Sequence, residues 1–478
     1  MEQVFGFFKF CIRPLTDRFQ INFTSMNRLV FIYLSFRLLL DGVEEFLILP
    51  TAWYYMKNLG ETNTFLGFTL AAYSAGTLVF APFIGFLEVK FQASKTIVVM
   101  CGLVKLFGNL LYSIPVNGYF PLFGRFISGI GEGTVGVLYG AVTKCTTNEN
   151  RAKAFLYFEG LYCIGEVCGP TIGSLLVFKF NVLGWEVNAG NSPGVVLAIV
   201  WLLLLILTMF LPSDLAESYE AENHINSDSE SYESKSGGTM IGCPQSVVLC
   251  LYYLIFLMVI LTTISSTYIP LLAKYHLGLG LSHVKLLYLN SSLFAFVFFL
   301  ATYLLVERIS EKNCIVFGAV SSIVPIFTIF YFALFWDNDM PVNAAYLLLV
   351  SLLFIGAQFV NFALISSLLS KLTPAEGASF YQSLTFTIAH TSIMLSRILA
   401  GATFHRMPMM YTCLCLTICW LFGLIWLGIE YKNLEKDDKW IESSASVKDS
   451  SVGGRIKEKG PKCKNKEVDL TVGPNCTT

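Results

Sequence analysis

Four charged side chains stand close together in an otherwise apolar stretch near the start of the chain: Arg37, Asp41, Glu44 and Glu45, at i, i+4, i+7 and i+8. On a helix of 3.6 residues per turn that spacing sets all four along one face. Such a stripe has two uses. In the first, Arg37 pairs with Asp41 while Glu44 or Glu45 faces a cavity as a proton or cation site. Burial disfavours a charged carboxylate and a nearby arginine favours it, so a movement that changes either loads and releases a proton. In the second, the four form a static ion-pair network that fixes this helix against its neighbours.

Further charges fall at the same kind of depth. Arg125 and Glu132 are seven residues apart and share a helical face, as do Glu159 and Glu166. Glu166 reads as a buried coupling or gating acid, or as a hydrogen-bonded neutral carboxyl. Lys105 reads as a structural partner for buried acids. His390 and Arg397, again seven apart, are the titratable or charged pair of the second half; the arginine either clamps an anionic solute or pairs across to a first-half acid. Gln358, Asn361, Thr262, Ser265 and Tyr268 add neutral groups that orient a solute or bond neighbouring backbone. A charge at bilayer depth costs at least about 2.5 kcal/mol, so each of these positions needs a reason.

What must hold them is membrane-embedded. The chain has 478 residues, 55% hydrophobic and 14% charged, with a mean hydropathy of +0.63, which excludes an ordinary soluble globule. A formal net charge of −1 gives no footprint for nucleic acid. Apolar stretches of about 20 residues, the length a bilayer requires, lie near 29–50, 64–86, 96–114, 119–143, 152–178 and 192–212. A second set lies near 246–270, 285–306, 314–335, 343–369, 378–402 and 409–430. The expected fold is an all-α integral membrane protein, with twelve transmembrane helices in two six-helix bundles over 29–212 and 246–431.

The segment 213–245 is acidic and rich in Ser, Asn and Gly, a flexible linker by composition, and the tail 432–478 is equally unable to bury a core. Residues 1–28 carry Lys9, Arg13, Arg18 and Arg28 with no small-residue cleavage site, so the run that follows is expected to remain as the first span. Lysine and arginine concentrate in the loops that share a side with this tail, which predicts cytosolic termini and linker. The sequons at Asn22 and Asn475 then lie in cytosolic tails and the one at Asn290 in a span, so none is expected to carry sugar. The thirteen cysteines show no metal-ligand spacing: those in apolar runs read as buried small hydrophobes, and Cys11, Cys145, Cys243, Cys463 and Cys476 as cytosolic thiols. No disulfide, metal or cofactor is expected.

Local motifs carry a resemblance. Arg125-Phe-Ile-Ser-Gly129-Ile-Gly131-Glu-Gly133 and Gly165-Glu-Val-Cys-Gly169-Pro170-Thr-Ile-Gly173 resemble the fourth-span and fifth-span signatures of the major facilitator superfamily. Glycines four apart let helix backbones approach, and a proline bends the helix at the contact; the two halves are expected to rock on such surfaces. The loop Gly85-Phe-Leu-Glu88-Val89-Lys90-Phe-Gln92-Ala-Ser-Lys95 resembles that superfamily's gating loop, with Val89 in the place of the usual Asp and Gln92 in that of the second Gly. It therefore lacks the carboxylate that a salt-bridge latch uses at that place. Val306-Glu307-Arg308 to Lys312 is a fainter echo. The stretches 64–76, 81–85, 125–131 and Ser396-Arg-Ile-Leu-Ala-Gly401 are similar to the lysosomal domain-containing-8 type of that superfamily, which includes a ceroid lipofuscinosis-linked member.

The resemblance implies two bundles around a central cavity, alternating access, an antiporter-type fifth span and residence in endolysosomal membranes, with the plasma membrane as the other location. In that superfamily the third span lies outside the cavity, which assigns Lys105 to pairing. The function expected is proton-linked secondary transport of a small polar or charged solute by a monomer. An anion channel or uniporter using Arg37, Arg125 and Arg397, and a non-transporting scaffold or sensor, are the alternatives. No nucleotide loop, nucleophile motif or metal set points to an enzyme.

Overall fold

The structure is a computed structural model that describes residues 26–176, 178–182, 185–215, 245–278, 281–306, 308–336 and 344–434. Most of both tails and of the acidic linker, Glu307, the sequons at Asn22 and Asn475 and Cys11, Cys243, Cys463 and Cys476 lie outside the described residues.

The first half is built from α1 (Arg28–Leu47), α2 (Leu49–Asn58), α3 (Asn63–Phe91), α4 (Ser94–Tyr112), α5 (Tyr119–Glu132), α6 (Val135–Lys144), α7 (Asn148–Leu175) and α8 (Ser192–Thr208). A short antiparallel hairpin, β1 (Phe180–Val182) with β2 (Trp185–Val187), joins α7 to α8. The second half contains α9 (Gln245–Leu277), α10 (Leu281–Leu305), α11 (Glu311–Ser321), α12 (Ile323–Leu334), α13 (Ala344–Leu372), α14 (Ala378–Ala402) and α15 (Arg406–Glu430). Local chemistry sets the ends and breaks. Asn27 and Thr62 accept from the backbone N–H groups of Leu29 and Phe65 and so cap α1 and α3. Pro50, at the start of α2, marks the break after α1. The glycine-rich Gly131-Glu-Gly133 separates α5 from α6.

Among the described residues six stretches are each long and apolar enough to cross a membrane: 65–91, 94–112, 245–277, 311–334, 344–372 and 406–434. The helices outside that set include α1, α7 and α14. Their polarity has a cause, since they carry the charged residues singled out above. Large apolar side chains such as Phe68, Phe86, Phe210 and Ile429 stand exposed on the outer surface, the reverse of a water-facing protein. The nine described cysteines form no disulfide with one another, and Cys168 and Cys415 sit on exposed faces instead of in the core.

Contacts between helix ends gather one side of the molecule. Lys95 at the start of α4 donates to the carbonyls of Met209 and Leu211 beyond α8, and Arg151 near the start of α7 donates to the Ser370 carbonyl near the end of α13. This is the side on which the segment 216–244 leaves and re-enters, called the linker end below.

Gln92 ends α3 in the left-handed region at φ 48°, a conformation that favours glycine. It is the position where the resembled loop pattern has its second Gly. The Gln92 side chain donates to the Val89 carbonyl at 2.8 Å, which offsets part of the cost. Gln92→Gly is therefore expected to raise stability by about 0.5–1 kcal/mol, read as a higher thermal midpoint of purified protein. An unchanged or lower midpoint would mean that the lost side-chain bond outweighs the relieved backbone.

Candidate functional site

The stripe on α1 faces inward: Arg37, Asp41, Glu44 and Glu45 are all buried. Asp41 accepts from Arg37 Nε at 2.9 Å, a pair set by the i, i+4 spacing. Its other oxygen accepts from Lys105 Nζ at 2.6 Å. The fully buried Lys105 ammonium on α4 also reaches Glu44 at 2.8 Å and, more tightly still, Glu132 on α5. One carboxylate oxygen from each of Asp41, Glu44 and Glu132 lies within 4.8 Å of the others. They converge on the three donors of the ammonium, and no metal is assigned to them.

Neutral donors complete the coordination. Glu44 accepts from Asn109 Nδ2 at 2.6 Å and from Trp201 Nε1 at 3.1 Å. Glu132 accepts from Tyr73 Oη at 2.8 Å and Tyr162 Oη at 3.4 Å, and Tyr162 also donates to Glu45 at 3.1 Å. The Arg37 guanidinium lies 4.1 Å from the centre of the Trp201 ring, and Arg125 stands as close over Tyr73. Arg125 is buried and donates to the backbone carbonyls of Glu44 and Glu45 at 3.4 and 3.2 Å. Arg125 and Glu132 share a face of α5 and meet on Tyr73, whose ring lies under the guanidinium and whose Oη donates to the carboxylate. Lys105, Tyr73, Asn109, Tyr162 and Trp201 were not among the expected site residues. Only Lys105 carried a sequence signal, as a lone cation inside an apolar run.

Glu166 lies on α7 beside α1, mostly enclosed, with its backbone N close to Gly42. It lies in the fields of Glu45, Glu159 and Arg397. Glu159 is fully enclosed and accepts from Tyr139 Oη at 2.6 Å. On α14, His390 is buried, and its Nδ1 has no hydrogen-bond partner among the described residues. Arg397 Nη2 crosses between the halves to within 3.7 Å of Glu45 Oε1. Gln358 donates to the Gly318 carbonyl at 3.1 Å, Asn361 stays with Gln358 and Thr262 bonds the Met258 carbonyl, so these groups hold backbone and one another.

The motif glycines pack helices within the first half. A Cβ on Gly165, Gly169 or Gly173 of α7 would strike the backbone of Leu39, Val43 or Leu47 of α1, and one on Gly129 would strike Tyr73 of α3. Pro170 sits inside α7 between those contacts, and Gly133 lies against Ala81. The expectation that the halves rock on these motifs is corrected: small residues elsewhere form the surface between halves. Gly85 of α3 and Gly136 of α6 both press on Ser383 of α14, and Gly140 presses on Ser379. This seals the linker end.

The latch missing at Val89 is displaced by one residue. Glu88 is buried and pairs with Lys144 at the end of α6 at 3.1 Å, with Ser94 donating to the same carboxylate at 3.0 Å. Glu88→Gln keeps the shape and removes the charge, and should cost about 1–2 kcal/mol, visible as a lower thermal midpoint.

With this geometry in view, residues 34–396 match the sequence profile of the Major Facilitator Superfamily. The chain belongs to that superfamily. Major facilitator proteins are membrane transporters, not enzymes. The chain is similar to an SPX domain-containing membrane protein of Arabidopsis thaliana, 29% identical over 172 residues that make up 34% of this chain and 23% of that protein. It is also similar to the quinolone resistance protein NorA of Staphylococcus aureus, 29% identical over 156 residues, 32% of this chain and 39% of NorA. The match therefore spans roughly a quarter to two-fifths of the length of these curated relatives. Among solved structures, the human organic anion transporter MFSD10 (TETRAN) superposes with a TM-score of 0.61 at 17% identity, over 84% of this chain and 99% of that one. The proton:xylose symporter XylE gives 0.63 at 15%, over 85% and 96%. At such identities the likeness establishes the major facilitator fold.

Proposed function

We propose that this major facilitator protein is a secondary active transporter that moves a small polar or charged solute by alternating access, coupled to protons. One observation carries the coupling. The cluster sets six carboxyls, Asp41, Glu44, Glu45, Glu132, Glu159 and Glu166, against four cations, Arg37, Lys105, Arg125 and Arg397. In a low-dielectric interior an uncompensated carboxylate is expensive, so the set approaches neutrality by holding protons. A rearrangement that opens one pairing shifts one of them. Support for transport also comes from the fold shared with a proton:xylose symporter and an organic anion transporter. Residence in an endolysosomal membrane, with both termini and the linker in the cytosol, fits the motif resemblance and the lysine and arginine distribution.

The test is a pH jump across proteoliposomes containing the full chain, offered pooled metabolites, with Asp41→Asn, Glu44→Gln and Glu166→Gln compared. The expected result is solute flux that follows the proton gradient, with at least one of these variants retaining flux while losing that dependence. Unsaturable current indifferent to pH and to all three substitutions would replace this reading with the anion-channel one.

A further inference from the structure

The contact between Glu45 and Arg397 has the character of an occupied docking point. Its nitrogen–oxygen distance of 3.7 Å is too long for a hydrogen bond, although the Glu45 side chain is only 5% exposed. Glu45 Oε1 has no hydrogen-bond donor among the described residues, while Oε2 is held by Tyr162. Arg397 is 33% exposed between the two halves. Two turns earlier on the same face of α14, the buried His390 Nδ1 also has no hydrogen-bond partner among the described residues. Glu45 and Arg397 thus meet across the two halves without a hydrogen bond, with the His390 imidazole in electrostatic range of both.

We propose that Arg397 is the docking point for a carboxylate-bearing solute, which displaces Glu45 from it and leaves Glu45 to take up a proton. The proposal rests on the transport reading above and narrows its substrate class. An incoming carboxylate can form two parallel bonds to the guanidinium fork, which the loose Glu45 contact does not. His390 supplies a further polar group on the same face. Once displaced, Glu45 faces Tyr162 and Glu166 on α7 and Arg125 on α5, and Arg125 is committed to backbone carbonyls. On α14 Arg397 is then engaged by the solute, and His390 lies within electrostatic range of Glu45. A buried carboxylate so placed binds a proton from the compartment that delivered the solute. The negative charge of a monocarboxylate and the proton enter together, so the step is electroneutral; a dicarboxylate would carry net charge.

The experiment uses the full chain in lipid nanodiscs in weak buffer with a pH dye. The probes are lactate, benzoate and glutarate, with inorganic phosphate, glucose and choline as comparators. Expected is a raised thermal midpoint with at least one carboxylate and uptake of about one proton per bound anion. Arg397→Gln should lose both responses, and Arg397→Lys, which keeps the charge for folding, should lose most of the affinity. Glu45→Gln removes the internal competitor, so it should bind the carboxylate about tenfold more tightly and take up no proton. The proposal is overturned if no carboxylate shifts the wild-type midpoint, if phosphate alone does, or if Glu45→Gln still takes up the proton. Proton-driven flux of glucose or choline with indifference to carboxylates would preserve the transporter reading and remove this one.

Discussion

Lys105→Met is expected to destabilise the protein by about 3–5 kcal/mol, the largest effect of any single charge removal. The ammonium touches Asp41, Glu44 and Glu132 at once, and all four side chains are buried. Methionine fills nearly the same volume, so the loss is electrostatic. Three carboxylates would then share a site with Arg37 as their remaining cation, and two of them would have to protonate or the helices separate. Thermal unfolding of purified protein checks this. Because the single variant is liable not to fold, the paired variant Lys105→Met with Glu132→Gln provides the second arm: removing one of the stranded charges should recover a large part of the loss. A single variant as stable as wild type, or a double variant no better than the single, would show that the ammonium is not the hub of the cluster. Buried ion pairs are poor evidence of net stabilisation; what the experiment measures is the cost of stranding the acids.

Much of this cluster was legible from spacing. Arg37, Asp41, Glu44 and Glu45 fall on one face of α1 by the period of the helix alone, and their cost in lipid demands an inward face. The pairing of Lys105 with acids was legible too. Its central place was not, because family resemblance put its span away from the cavity, whereas α4 packs against α5 and brings the ammonium between α1 and α5. Tyr73, Tyr162, Asn109 and Trp201 gave no signal, since aromatic and amide residues are common in membrane helices and only the fold aims them at Glu44, Glu45 and Glu132. The apolar stretches located the helices, while the breaks between α1 and α2 and between α5 and α6 rest on backbone features that hydropathy does not register. The glycine motifs were read correctly as close packing and assigned to the wrong surface. Glycine spacing says that a neighbour is near without saying which helix it is.

Gly136→Leu is expected to hold the protein open at the linker end and to abolish transport while leaving each half folded. A Cβ at Gly136 would overlap the backbone of Ser383 on α14, which cannot move aside as a flexible side chain can. Gly85 meets the same serine, and a Cβ there would stand 2.8 Å from the Ser379 carbonyl oxygen, so the closed end depends on several absent side chains at once. Closure also carries its own cost. The hydroxyls of Ser379 and Ser383 and Gln382 Oε1 are buried without hydrogen-bond partners among the described residues, and each such group costs about 1–3 kcal/mol. Opening this end to water would relieve those costs and offset part of the lost packing, which is what the proposed alternation requires of this surface. The check is labelling of Ser379→Cys by a membrane-impermeant thiol reagent, with and without Gly136→Leu. Ser379 is fully buried, so the cysteine should react slowly in the otherwise wild-type chain and at least about tenfold faster beside Gly136→Leu, a shift of about 1.4 kcal/mol or more toward the open arrangement. Unchanged labelling in a monodisperse, folded double variant would mean that α6 and α14 do not separate in the cycle, and that closure at this end is permanent.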